Sequence, residues 1–332
     1  MKNLTKNRII STTVATITIL SVFGTSAKAA ITFVFDYSTN TPGIGFLDPV
    51  LGPARQTALT TAGNMFSNLF ATHFTNSAII NLAVSSTVDP MTNTLASAGT
   101  NDVSAPGTFG AGEVIPQKLI TGVDLNGASA DGTVNVNWAK AWELDPNMPA
   151  VASGPGANYD FYAALNHEFT HTLGFGSNIF GLADVSGNGG PGSGTQGTWA
   201  KWDQFLTDKS GAPLINTATF EVNNAPTMDA QANGAHFRGA FAMGIYGGPV
   251  PIENGGTSHL DETTFSTPTA PFNYMMKPLR GEGPNEARTY STLEVGMLRD
   301  LGFTAVGSAP EPSVGLLLLA GMGVFGLVRR KK

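Results

Sequence analysis

An α+β fold is the class this sequence predicts, and three observations carry the prediction. Reading from the first β-forming segment, the chain gives strand, helix, strand, strand, helix in order. Apolar residues make up 42% of the 332 positions and charged residues 13%, the composition of a globular chain, not a disordered one. Glycine occurs 40 times, so much of that fold must be loop.

The elements follow in order. Ile31-Thr32-Phe33-Val34-Phe35 alternates poorly but is rich in β-forming residues, so a buried first strand is expected. Ala54 to Phe70 has helical spacing, with Leu59, Ala62, Met65, Phe66 and Leu69 on one face. Ala78 to Val84 reads as a second strand. Thr133 to Trp138 alternates, with Val134, Val136 and Trp138 on one side and Asn135 and Asn137 on the other. That polar face predicts a sheet edge able to pair with an extended peptide. Asn158 or Asp160 can cap a helix running to about Leu173, which Gly174 stops. Gly181 to Gly197 reads as a surface loop. Ser291 and Glu294 have capping-box spacing ahead of Leu293, Met297, Leu298 and Leu301, and Gly302 ends that helix. There is no internal repeat.

The two ends read as addresses. Lys2, Lys6 and Arg8 precede an apolar stretch from Ile9 to Phe23, and Ala27-Lys28-Ala29 is a small-x-small cleavage site that would leave Ala30 first. At the other end Pro310-Glu311-Pro312 is followed by apolar Ser313 to Val328 and by Arg329-Arg330-Lys331-Lys332. By composition this is a short transmembrane anchor with a positive stop. The order of its three parts resembles the PEP-CTERM sorting signal of bacterial surface proteins. That resemblance implies a Gram-negative-type bacterium, delivery to the cell surface or extracellular matrix, and an exosortase-type enzyme as partner. The expected organisation is a signal peptide over residues 1–29, a catalytic body over 30–309 and a sorting segment over 310–332.

Charge and cysteine content exclude several classes. Four of the 18 Lys and Arg residues lie in the first 29 positions and four more close the chain, while those ends hold one acid, Glu311. The body therefore carries 10 basic against 23 acidic residues, which repels anionic polymers. With no block of like charge either, nucleic acid is not an expected partner. Cysteine is absent, so disulfides, thiolate metal sites and cysteine nucleophiles are excluded.

His167-Glu168-Phe169-Thr170-His171 is the pattern that carries chemistry. Residues four apart share a helix face, so two imidazoles can reach one ion, and neutral imidazole is a good zinc ligand. Glu168, one residue from the first ligand, is placed to take a proton from a water at the metal and pass it to a leaving amine. Two buried, satisfied histidines are the bland alternative, but a carboxylate between them in a core would be costly. A catalytic zinc takes three protein ligands and keeps one position open. The residues leave His73, His236 and His259 as candidates for the third, with Asp261 as an acidic rival. Glu221, Glu253 and Glu262 lack the downstream aspartate that a glutamate ligand of the Glu-x-x-x-Asp type would bring.

The longer pattern His167-Glu168-x-x-His171-x-x-Gly174 resembles the metzincin metallopeptidases. In that family the glycine lets the chain turn so that a residue three places later can bind the metal; here that position is Ser177. The leishmanolysin-like branch takes its third histidine from far downstream, shortly before a methionine turn. The order here matches: Ser258-His259-Leu260-Asp261-Glu262, then Asn273-Tyr274-Met275-Met276-Lys277-Pro278. The resemblance implies that His259 is the third ligand and that Met276, or its neighbour Met275, lies beneath the metal. It also implies that Ser291 to Gly302 is the closing helix. The expected fold is metzincin-like: an upper lobe with a twisted mixed sheet and the active-site helix, and an irregular lower lobe ending in a helix. The implied activity is that of a zinc endopeptidase acting on protein or peptide substrates. Tyr274 is a candidate hydrogen-bond donor to the oxyanion. Asp184-Val185-Ser186-Gly187-Asn188-Gly189 resembles the start of a calcium loop, with Thr195 where an acid is expected, so Ca2+ is a second candidate ion. Trp202, Phe205 and Leu206 read as core. Two other readings fit the residues: a non-catalytic surface or matrix protein with a structural metal site, which would leave Glu168 unused, and a zinc hydrolase acting on substrates other than peptides.

Overall fold

The computed structural model describes residues 30–147, 158–179, 193–223, 234–253, 257–265, 274–278 and 287–306. The expected signal peptide, the expected sorting segment and the Asp184–Gly189 pattern lie outside the described residues, as does all of the expected Gly181–Gly197 loop before residue 193.

The fold is α+β, built on a four-stranded sheet. Strands β1 (Ile31–Asp36), β2 (Ala78–Thr87), β3 (Ala96–Thr100) and β5 (Gly132–Asn137) lie in the order β1-β2-β5-β3. The pairs β1–β2 and β2–β5 are parallel, and β3 runs antiparallel to β5. One face is covered. Ile80, Leu82 and Val84 of β2 and Val134 and Val136 of β5 are fully buried on it, while Ile79 and Thr133 on the other face are exposed. Alternation of this kind is what a sheet with one dry face imposes.

Two sequence expectations are corrected here. The first strand is not buried throughout. Ile31 is buried, but Thr32 and Val34 are exposed and Phe33 and Phe35 half-buried, because β1 is an edge strand with helices over one face only. The Thr133–Trp138 segment is not an edge. It forms β5, flanked by β2 and β3, and its backbone groups are used on both sides. The free edge on that side of the sheet belongs to β3, whose Ala-Ser-Ala-Gly-Thr sequence has no apolar pattern to announce it.

The covering layer is α1 (Gly52–His73) and α3 (Phe161–Thr172). Helix α1 buries Ala58, Leu59, Ala62, Gly63, Phe66 and Phe70, the expected stripe with Met65 and Leu69 at its half-buried border. The ring of Phe33 stacks on Phe169 of α3 at 4.7 Å between centroids and tilts against Phe66 at 5.9 Å, so one aromatic cluster ties strand and both helices together. Helix α2 (Val114–Thr121) adds Ile115 and Leu119 to the same core.

The rest of the described chain is less regular. Strands β9 (Leu206–Thr207), β10 (His236–Phe237) and β11 (Val250–Pro251) form a small antiparallel sheet. Short parallel pairs join β4 (Thr108–Phe109) to β8 (Thr198–Trp199) and β6 (Trp142–Glu143) to β7 (Tyr159–Asp160). Helix α4 (Ala240–Tyr246) packs on α6 (Thr292–Leu301), at Gly296, where an added Cβ would meet the Ile245 side chain at 2.6 Å. The one-turn α5 (Glu262–Phe265) lies between them in sequence. Ser291 and Glu294 make the capping box the sequence predicts, and Gly302 takes the left-handed conformation at φ +114°. Trp202 and Leu206 are buried as expected and Phe205 is half-buried.

Candidate metal centre

Helix α3 starts where its cap dictates. The Asp160 carboxylate accepts from the backbone N–H groups of Tyr162 and Ala163, both at 3.0 Å, and so satisfies two of the orphan donors of the first turn. Arg288 holds the same carboxylate from the other side, through Nε at 2.8 Å and a second guanidinium nitrogen at 2.9 Å. The helix ends at Gly174, whose φ of +78° favours glycine.

Between those ends α3 places His167 and His171 one turn apart. Their Nε2 atoms are 3.1 Å from each other. His259 joins them from far along the chain, its Nε2 3.2 Å from that of His167 and 3.1 Å from that of His171. The loop that delivers it is pinned at several points. Ile252 and Leu260 form a β-bridge, and Glu253 N–H donates to the His259 carbonyl at 2.9 Å. Ser177 N–H donates to Ser258 Oγ at 3.0 Å, and Trp202 Nε1 donates to the Thr257 carbonyl at 2.8 Å.

The outward ring nitrogens decide what the inward ones can do. His167 Nδ1 lies 2.6 Å from the Met275 carbonyl oxygen and His171 Nδ1 lies 2.6 Å from that of Phe175. His259 Nδ1 lies 2.8 Å from Glu253 Oε2. All three partners are acceptors, so each Nδ1 carries the proton, a tautomer assigned from the hydrogen bonds. In the neutral imidazoles each Nε2 then presents a bare lone pair to the other two. Three lone pairs converging at such distances repel one another unless a cation lies between them. The three residues form a group able to hold a metal ion. A tetrahedral zinc with Zn–N bonds of about 2.0–2.1 Å keeps its nitrogen ligands roughly 3.3 Å apart, so the donor set fits that ion in kind and in spacing.

Glu168 is half-buried beside the triad, and its Oε2 accepts from Ala98 N–H on β3 at 3.1 Å. A cleft of about 810 Å3 runs past these groups; β3, Glu168, the three histidines, Asp102 and Glu113 are among its walls. Among the described residues no Lys or Arg lines it. Burial pushes the carboxyl of Glu113, in the cleft wall, up to about 8 and that of Asp203, which does not line it, up to about 7. Asp203 organises the turn after α3, accepting from Ser177 Oγ at 2.5 Å, Asn178 N–H at 3.1 Å and Ala200 N–H at 3.0 Å. Ser177, at the position where the short metzincin pattern has its ligand, is thus committed to holding that turn.

The other candidates are placed as follows. His236 sits on β10 with Nδ1 2.6 Å from the Gly234 carbonyl, and it is not part of the triad. Asp261 accepts from Thr264 N–H at 2.7 Å and from its hydroxyl, closing α5. His73, the remaining candidate, is half-buried with its ring against that of Tyr290 and is not part of the triad. Met275 and Met276 are fully buried. Tyr274 packs its ring edge-on against Phe265 at 4.8 Å and is not among the residues lining the cleft. Glu253, Glu113 and Asp203 had no signal in the sequence, since each finds its role through contacts that no periodicity encodes. Glu253 had been weighed only as a direct ligand.

Residues 308–332 match the model of the PEP-CTERM protein-sorting motif. The chain carries that sorting signal. The PEP-CTERM motif implies export, sorting to the cell surface and processing by an exosortase. No curated protein and no solved structure matches the chain. No helix among the described residues is long and apolar enough to cross a membrane. The apolar stretch read as an anchor lies outside those residues.

Proposed function

We propose that this exported protein is a zinc-dependent endopeptidase with a metzincin-like architecture. The observation that supports it most is the convergence of three imidazole Nε2 atoms beside a carboxylate, at the wall of a cleft of about 810 Å3. His167, His171 and His259 would hold one zinc ion, and a fourth position would stay open toward the cleft. When bound there, zinc supplies Lewis acidity, polarising a carbonyl and making a water acidic near neutral pH.

The chain's own residues do the rest. Glu168 is the base that takes a proton from the attacking water and returns it to the leaving amine. Its hydrogen bond to Ala98 N–H holds the carboxyl at the junction of α3 and β3. The outer edge of β3, apart from the Ala98 N–H that Glu168 accepts, offers backbone donors and acceptors to an extended peptide, the role that the sequence suggests for Thr133–Trp138. The carboxyl groups of Asp102, Glu113 and Glu168 along the cleft suit neutral or basic peptide segments. The buried methionine pair contributes the Met275 carbonyl that orients His167.

Glu168→Ala tests the reading. The variant should bind zinc as the natural chain does and lose roughly 10²- to 10⁴-fold in peptide hydrolysis. Undiminished hydrolysis by this variant, or no chelator-sensitive hydrolysis by the natural chain, overturns it.

A further inference from the structure

Resting on the zinc reading above, we propose that Glu253 is the positioning residue for the distal ligand: it sets the tautomer and ring direction of His259, and so completes the metal centre.

The three histidines are held differently. His167 and His171 donate to backbone carbonyls, those of Met275 and Phe175, which come with the folded chain whatever side chains stand there. His259 donates through Nδ1 to a side chain, Glu253 Oε2 at 2.8 Å. It also needs help most. His167 and His171 ride on one helix, whose geometry fixes their separation. His259 comes from a loop, and its ring would be free to turn about two torsions. The Glu253 carboxylate removes that freedom, and the Glu253 N–H to His259 carbonyl bond at 2.9 Å locks the two backbones in register. Two bonds between the same pair of residues, closed by the Ile252–Leu260 bridge, make a rigid arm for one imidazole.

A carboxylate behind a metal-bound histidine does two further things. It keeps the proton on Nδ1, so that Nε2 is the nitrogen turned to the ion, and it holds the ring in that direction. Glu253 also sets one negative charge against a site whose three ligands are neutral.

The test compares the purified full-length natural chain with Glu253→Gln, Glu253→Ala and Glu253→Asp, measuring zinc dissociation constants by chelator competition. The urea midpoint of each metal-free protein is measured beside them. Glu253→Ala should weaken zinc about 10- to 100-fold. The isosteric Glu253→Gln should also weaken it, and Glu253→Asp should recover part of the loss. The metal-free midpoints should stay together. In the cobalt-loaded proteins the visible ligand-field bands should shift in Glu253→Gln, a change that a purely structural residue would not produce. If the natural chain binds one zinc and the alanine and glutamine variants bind it equally tightly, the role of Glu253 is overturned. A loss of affinity matched by an equal loss of metal-free stability overturns it too. If the natural chain binds no zinc at all, the failure lies in the metal centre itself.

Discussion

Glu294 Oε1 accepts the backbone N–H of Met276 at 2.7 Å, while its Oε2 accepts from Ser291 N–H at 2.7 Å. One fully buried carboxylate therefore closes the capping box of α6 and anchors the segment whose carbonyl orients His167. Helix α6 is thereby tied to the candidate metal centre.

The two halves of that capping box should differ in cost. Ser291→Ala removes one cap and should cost about 1 kcal/mol. Glu294→Ala strands the buried Met276 N–H and the part-buried Ser291 N–H and should cost roughly 2–4 kcal/mol. It should also weaken zinc binding, which Ser291→Ala should leave alone. Urea unfolding and chelator competition on both variants measure this; equal costs would contradict it.

Gly174 has a second constraint besides its left-handed φ. A Cβ there would stand 2.6 Å from Glu113 Oε1 and 3.1 Å from Pro116 Cγ. At Gly122, φ +75°, a Cβ would meet nothing within 4 Å. Gly122→Ala should therefore cost only the backbone strain, about 1 kcal/mol, and Gly174→Ala roughly 2–4 kcal/mol. Comparing the urea midpoints of the two variants separates strain from the clash.

The buried Glu113 gives stability a pH dependence whose sign is fixed. Its folded pKa, about 8, lies above the ordinary 4.5, chiefly through burial, with Asp102 and Asp203 adding repulsion against the opposing bond from Lys201 N–H and the Lys201 charge. The folded chain thus holds a proton that the unfolded chain releases. The stabilisation is complete below about pH 4.5 and is lost as pH rises through about 8. Metal-free protein should unfold more easily at pH 8 than at pH 6, and Glu113→Gln should flatten that slope. An unchanged slope in the variant would assign the dependence elsewhere.

If β3 is the edge that takes substrate, its outward N–H groups matter more to turnover than to folding. Ala98 N–H points away from β5 toward Glu168, and by the two-residue alternation of a strand Ala96 N–H points the same way. Ala96→Pro should lower kcat/KM for peptide hydrolysis about tenfold, the worth of one hydrogen bond, while leaving zinc content intact. Proline at Asn135, inside the sheet, should instead unfold the protein, since Asn135 pairs with strands on both sides.

What could be read along the chain was whatever neighbours in sequence settle among themselves. The stripe of α1, the Asp160 cap, the Ser291–Glu294 box and the His167–His171 spacing all depend on residues a turn or less apart, and each has a periodic or capping signature. His259 was reached only through its order before the Met275–Met276 pair, a resemblance and not a derivation. Which strand forms the edge could not be read, because an edge is defined by the neighbour a strand lacks, and Asn135 and Asn137 look alike in either setting. The partners of Glu253, Glu294 and Glu113 were equally hidden. A carboxylate meets its donors across packed elements, and Glu113 takes a backbone bond from a residue 88 positions on. Local pattern wrote the helix with two of the three imidazoles; folding alone brought the third imidazole, its carboxylate support and the outer edge of β3 to the same place.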